Sequence, residues 1–264
     1  MPPRDFGGYS KYRECPTGEE DLIASFSRGF VFIKGRKTAG TSIEIALSRF
    51  CSEGDVITPV SPFDETVRRR EGGRAPQNYC DDRTAEERFR RAIEGGDLAE
   101  IRKAGRDARR HRTFRNHMPA GRVAARLPEG FWRAAFKFTV DRHPYEKAVS
   151  LAHFAYARAV RKHSSLTFDE HLDRIVQQGK YRNFDLYSED GVPVVDAVLR
   201  YEDMPGCFLE VQARTGIAFA QRLPFTKHRF RTDRRPAVEV LSDRQKALVQ
   251  KVCHEEFELS GYAR

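Results

Sequence analysis

Phe30-Val31-Phe32-Ile33-Lys34-Gly35-Arg36-Lys37-Thr38-Ala39-Gly40-Thr41-Ser42-Ile43-Glu44, running on to Phe50, is the stretch that decides the fold. Four apolar or aromatic residues make a short buried strand, and Gly35 and Gly40 loosen the turn that follows. Ile43, Ala46, Leu47 and Phe50 then recur at helical spacing. The turn therefore feeds a helix N-terminus. Backbone N–H groups and the positive end of the helix dipole suit a phosphate there better than any other common ligand.

The nucleotide triphosphatase pattern G-x-x-x-x-G-K-[ST] nearly fits Gly35 to Ser42, but Thr41 stands where the lysine belongs. The lysine is displaced to Lys37, before the second glycine, so its ammonium would meet a phosphate from another side. The string Lys37-Thr38-Ala39-Gly40-Thr41-Ser42 resembles the 5'-phosphosulfate loop of sulfotransferases that use 3'-phosphoadenosine 5'-phosphosulfate, PAPS. In that family the loop follows the first strand. Arg36 is a departure, since a proline is frequent there; arginine gives up the stiffness and adds a cation.

Phe136 to Asp141 reads as a second buried strand, ending in the polar turn Arg142-His143 with Pro144 at a first helical position. Ala148, Leu151, Ala152, Ala155 and Ala159 give the following helix one apolar face, and Ser150 lies in its second turn on another side. This resembles the family's 3'-phosphate motif, an arginine at a strand end and a serine eight positions later. Arg142 and Ser150 keep that spacing. The guanidinium offers a fork of donors for a phosphate, and the hydroxyl adds a neutral donor. His143 stands where the family often has Asp or Asn, at the lip of the implied pocket.

Val195 to Met204 is a third strand-like run, ending in Tyr201-Glu202-Asp203, and is similar to the family's strand before its adenine contacts. Tyr201 either touches adenine or covers a sheet edge. Leu223 to Arg231 resembles the basic loop that closes over the nucleotide, which implies contacts from Lys227 and Arg229. On charge alone the same run is a solvated face. The glycosaminoglycan branch carries a histidine between its two phosphate motifs, and His117 occupies that interval, with Asn116 beside it to orient base or substrate. A histidine pKa near 6.5 leaves much of it neutral and able to accept a proton. A histidine bonded to backbone is the other reading of His117, and a metal ligand is disfavoured because only His111 is close in sequence.

The resemblance spans about residue 30 to Tyr262. It implies a single domain over residues 1–264 with a P-loop-like sulfotransferase fold, α/β with a mostly parallel central sheet flanked by helices. The implied activity is transfer of the sulfuryl group of PAPS to a hydroxyl of a carbohydrate or glycolipid, without a metal, leaving 3',5'-ADP. Lys37 and His117 would be catalytic, and Arg36, Lys37, Thr38, Ala39, Gly40, Thr41, Ser42, Arg142, Ser150, Tyr201, Lys227 and Arg229 would hold the nucleotide. A small-molecule kinase on the same strand-loop-helix is opposed by Thr41 and by the lack of a clear magnesium-binding Asp motif. A noncatalytic polyanion-binding module is favoured only by charge.

Composition is compatible with this reading. The 264 residues are 39% hydrophobic, enough for one sizeable core, and the net charge of +9 suits a doubly phosphorylated nucleotide, an anionic acceptor or nucleic acid alike. Five scattered cysteines, Cys15, Cys51, Cys80, Cys207 and Cys253, never form C-x-x-C and suggest reduced thiols. No apolar run reaches the roughly 18–20 residues of a membrane span, and Met1 to Phe6 lacks a signal-peptide core. The expectation is a bacterial, cytoplasmic enzyme, unlike the anchored Golgi members of the family.

Residues 64–115 are the least legible. Between Arg83 and Arg115, eleven Arg or Lys alternate with six Asp or Glu. Such a charged helical insertion is either an exposed helix pair laced by i,i+4 ion pairs or a basic wall for an anionic acceptor. Nucleic acid would prefer more aromatics than Tyr79, Phe89 and Phe114. Thr167-Phe168-Asp169-Glu170 and Ser242-Asp243-Arg244-Gln245 are capping boxes, opening helices through about Gln178 and Leu259, and polar Tyr181 to Pro193 reads as an exposed connection.

Overall fold

A computed structural model describes residues 22–114, 117–161, 163, 165–218, 223, 231 and 233–264. Asn116, Lys227 and Arg229 lie outside the described residues.

The alternating apolar runs build a five-stranded mixed sheet in the order β3-β1-β2-β4-β7. Its strands are β1 (Leu22–Ser25), β2 (Phe30–Ile33), β3 (Val56–Ile57), β4 (Phe136–Asp141) and β7 (Ala197–Arg200). β2 pairs in parallel with β4, and β4 with β7. β1 runs antiparallel to both β2 and β3, so it alone is reversed. The fold class is α/β; the sheet is mixed, with two parallel and two antiparallel pairings, where the alternation of motifs implied a mostly parallel one. A separate two-stranded ribbon joins β5 (Ser188–Glu189) to β6 (Val192–Pro193).

Strand alternation sends successive side chains to opposite faces. Phe30, Phe32, Phe136, Phe138 and Val140 pack with Ile43 and Leu47 of α1 (Gly40–Ser48) on one face. Val31 and Ile33 face a second cluster built largely by the segment of alternating charge. There α2 (Pro62–Arg70), α3 (Arg83–Gly95) and α4 (Leu98–Ala108) follow one another. Phe89, Ile93 and Ile101 from α3 and α4 turn inward, while Arg91–Glu87 at i,i+4 and Arg88–Asp107 across the hairpin hold the outer surface. The exposed helix pair is therefore also one wall of the core, because the few apolar residues fall on a single stripe.

Short α5 (Ala120–Ala124) and α6 (Glu129–Ala134) lead into β4. α7 (Pro144–Val160) and α8 (Phe168–Gln178) pack with later helices in a third cluster containing Tyr145, Ala148, Ala152, Leu172 and Phe257. Thr167 makes the expected capping box. The polar stretch from Tyr181 corrects the reading as an exposed connection: α9 (Phe184–Tyr187) forms within it, and Tyr181, Phe184, Leu186 and Tyr187 are buried. Asn183 and Tyr187 find buried partners instead of water, whereas Asp185 and Glu189 to Val192 are exposed as expected. After β7 come α10 (Met204–Thr215), α11 (Ala237–Val240) and α12 (Asp243–Val252), capped as a box by Ser242. The anticipated last helix breaks at Cys253, and α13 (His254–Ser260) completes it as a separate segment. No helix among the described residues is long and apolar enough to cross a membrane.

Candidate nucleotide site

β2 and β4 lie side by side in parallel, with Ile33 registered against Thr139, so the turns after them share one end of the sheet. From that seam the chain departs in opposite directions. After β2 and α1 it reaches β3 on one flank, and after β4 and α7 it reaches β7 on the other. Divergence of this kind opens a crevice at the carboxyl ends of parallel strands, where ligands collect. The loop from Gly35 to Ser42 and the turn at Arg142 leave the ends of these two neighbouring parallel strands.

Lys37 and Ala39 both have left-handed backbone, with φ of 63° and 57°. Such residues cost of order 1–3 kcal/mol each and persist where the surroundings over-determine them. His117, with φ of 46°, is another, so three of the six non-glycine residues of positive φ among those described lie here. Ala39 is the N-cap of α1 and has no side chain to cap with, whereas Ser61, Asp82, Asp97, Thr167 and Ser242 cap their helices through side-chain oxygens. The start of α1 is thus left to the loop backbone, the arrangement that receives anions. Gly40 is required because a Cβ there would stand 2.5 Å from the Lys34 Cγ. At Gly35 a Cβ would come 2.9 Å from the Val140 carbonyl oxygen.

The loop side chains divide by role. The Lys37 ammonium sits 4.8 Å from the centre of the Phe154 ring on α7. Thr38 is buried, and its hydroxyl donates to the Gly35 carbonyl at 3.2 Å, bracing the turn. Thr41 and Ser42 are buried in the first turn of α1, where Thr41 Oγ1 accepts from Lys34 Nζ at 2.9 Å. The Arg36 guanidinium donates to the Arg182 carbonyl at 3.2 Å, and its backbone is held at both ends by one amide. Asn183 Oδ1 accepts from Arg36 N at 2.8 Å, and Asn183 Nδ2 donates to Arg36 O at 3.0 Å. The limb that lacks a stiffening proline is clamped instead.

Across the seam, Arg142 lies with its guanidinium carbon 4.6 Å from the centre of the Tyr201 ring and donates to Glu146 Oε2 at 2.9 Å. Its buried Nε–H has no partner among the described residues. A donor left unsatisfied in a buried setting costs about 1–3 kcal/mol, and an incoming oxyanion would relieve it. Tyr201 therefore backs the arginine. Arg231 reaches the same Glu146 carboxylate, so the described end of the basic segment arrives at this site. Ser150 is half-buried on α7. His143, expected at the lip, is turned to backbone: Nδ1 accepts from Tyr145 N at 3.3 Å as the helix cap, and Nε2 lies 3.0 Å from Ala263 O. Burial holds its pKa below the ordinary histidine value.

His117 Nδ1 lies 3.0 Å from the carbonyl oxygen of Lys34, the residue that opens the loop. A carbonyl only accepts, so in this contact Nδ1 carries a proton. Among the described residues no group of three potential metal ligands gathers, and Cys51, Cys80, Cys207 and Cys253 are free.

Two buried charge networks that sequence reasoning missed stand behind these residues. Under α1, Lys34 Nζ lies 3.3 Å from Glu44, and Arg68 bridges Glu44 at 3.5 Å and Glu65 at 3.1 Å. Under Arg142, Lys147 Nζ bonds Asp141 at 2.7 Å and Glu256 at 2.6 Å, with all three side chains buried. Asn183 Nδ2 and Tyr187 OH both donate to Asp141 at 3.0 Å, while Asn183 N and Phe184 N donate to Glu256. The only sequence signal was an ionisable residue on an otherwise buried strand or helix face, as at Glu44 and Asp141. No family model, no curated protein and no solved structure matches the chain.

Proposed function

We propose that this protein is a PAPS-dependent sulfotransferase acting on a hydroxyl, of a carbohydrate or glycolipid by the resemblance of its motifs. The observation that carries the reading is the convergence, across one parallel strand pair, of an uncapped helix start and an arginine with an orphaned buried donor. A nucleotide with phosphates at both its 5' and 3' ends would take both. The loop backbone with Thr41 and Ser42 would hold the 5'-phosphate, Arg142 and Ser150 the 3'-phosphate, and Tyr201 would support Arg142.

In the transfer, the acceptor oxygen forms a bond to sulfur as the bond from sulfur to the 5'-phosphate oxygen breaks, releasing 3',5'-ADP. His117 Nε2 takes the acceptor's proton, a role that typically contributes about a hundred- to ten-thousandfold. Lys37 meets the charge that builds on the departing oxygen, and a preorganised cation there is worth a few kcal/mol. Phe154 keeps that ammonium on the α7 side of the loop.

Calorimetric titration tests the reading: 3',5'-ADP should bind more tightly than ATP, and the reverse order would favour a kinase and sink it. With labelled PAPS and cell extracts as acceptor source, Lys37→Ala should lower kcat by about a hundredfold with little change in nucleotide affinity. Arg142→Ala should weaken 3',5'-ADP binding by about tenfold or more. Equal effects of both changes on both quantities would count against these roles.

A further inference from the structure

Asn183 belongs to none of the phosphate motifs, yet its side chain joins the two halves of the site. Its carboxamide makes two hydrogen bonds to the Arg36 backbone, accepting from the N–H and donating to the carbonyl. The same Nδ2 donates to Asp141 Oδ1, the atom that also accepts from the Arg142 backbone N–H at 2.8 Å. One amide thereby spans from the rising limb of the loop to the residue beside the arginine. Its own position is over-determined. Asn183 is buried, its backbone N–H donates to Glu256, and Glu256 and Asp141 are both ion-paired with Lys147.

We infer that Asn183 is a positioning residue that sets the place of the 5'-phosphate loop relative to Arg142, so that a nucleotide bearing both phosphates meets both halves at once. The inference rests on the proposed nucleotide chemistry. The physical need is plain in the loop itself. Arg36 is followed by left-handed Lys37, and no proline ring restrains the limb. Without an acceptor for the Arg36 N–H and a donor for its carbonyl, the turn loses two part-buried hydrogen bonds and with them its register over β4. Two hydrogen bonds lost from the limb, at about 0.5–1.5 kcal/mol each, correspond to about ten- to hundredfold in the affinity of a ligand that needs the bound loop geometry. The clamp also explains how Arg36 is tolerated: a proline would have no N–H for Asn183 Oδ1 to accept, and the amide does the work of the ring.

The test compares three probes by calorimetry: 3',5'-ADP, 5'-AMP and 3'-AMP, on wild type, Asn183→Ala, Arg36→Pro and the double variant. Asn183→Ala is expected to weaken 5'-AMP and 3',5'-ADP by about ten- to hundredfold while changing 3'-AMP by less than about threefold. In the Arg36→Pro background, where the N–H is gone and the limb is stiff, the same substitution should cost less than half as much in log affinity. Equal weakening of 5'-AMP and 3'-AMP, or no weakening of either, would overturn the inference while leaving the nucleotide reading intact. Should Asn183→Ala fail to fold, Asn183→Ser, whose shorter side chain gives up the two bonds to Arg36, decides: a loss for 5'-AMP but not 3'-AMP supports the clamp, and unchanged or equally weakened affinity for both overturns it. If wild type binds none of the three probes, the functional reading fails, and this inference with it.

Discussion

The two buried charge networks lie on either side of the same strand pair and are built differently. The one beneath α1 uses Lys34, Glu44, Glu65 and Arg68, all from consecutive elements between β2 and α2. Its hydrogen bonding is incomplete: Arg68 Nε and Nη2 are buried with no hydrogen-bond partner among the described residues. A cavity of about 170 Å³ lies alongside, lined by Glu65, Arg68 and Gly73 among others, with room for water. Burial pushes the Glu65 carboxyl up to about 7. The network beneath Arg142 joins Asp141 and Lys147 to Glu256, and every one of those side chains is hydrogen-bonded. There the two carboxylates outweigh the desolvation of Lys147 and hold its pKa above the ordinary lysine value. The local network can form as its own elements fold, whereas the other closes only when α13 returns to β4. The geometry of the site is therefore hostage to the C-terminal helix.

Removing one cation from each network breaks or confirms the contrast. Lys147→Met would leave two buried carboxylates without a counter-charge, and an expected loss of about 3–5 kcal/mol should appear in urea denaturation. Arg68→Met should cost less, about 1–3 kcal/mol, because Glu44 keeps Lys34 and Glu65 can take up a proton. If the order is reversed, the better-satisfied network is not the more important one.

The smallest expected effect is the most specific. Glu65 titrates at about 7 in the folded chain against an ordinary 4.5, so between those values the folded state holds a proton that the unfolded state has lost. Its contribution to stability is complete below about pH 4.5 and falls as pH rises to about 7. His143, held below its ordinary value, acts in the opposite sense, contributing above the histidine range and losing its contribution as pH falls. The informative quantity is thus the difference between wild type and Glu65→Gln, which keeps an oxygen for the Val60 N–H. From pH 5 to 8 that difference should move against wild type by about 1–3 kcal/mol. A flat difference would show that Glu65 does not change protonation over this range.

Local chemistry was legible where a motif and its structural setting lie within one strand-turn-helix. The loop from Gly35 to Ser42, the strand before it, the Arg142 turn and both capping boxes all belong to this kind. Tyr181 to Tyr187 differs from the exposed connection expected there because polar residues favour loops on average, yet Asn183 and Tyr187 bury their polar atoms against Asp141. Their partners lie 42 and 46 residues away, beyond any local periodicity. The charged helices were ambiguous for a similar reason: a few apolar positions suffice for a core stripe once a sheet face is there to meet it.

From its sequence alone this chain is committed to an α/β arrangement with a strand feeding a glycine-bearing turn and a helix start, and to an arginine and serine at fixed spacing after a second strand. Periodicity, glycine and local charge act over a few residues and are readable there. Only the tertiary structure decided that these two turns share one end of a parallel strand pair. It alone placed the His117 ring against the Lys34 carbonyl and made Asn183 the tie between loop and arginine, because hydrogen bonds and ion pairs across 40 to 150 residues depend on chain return and leave no local signature.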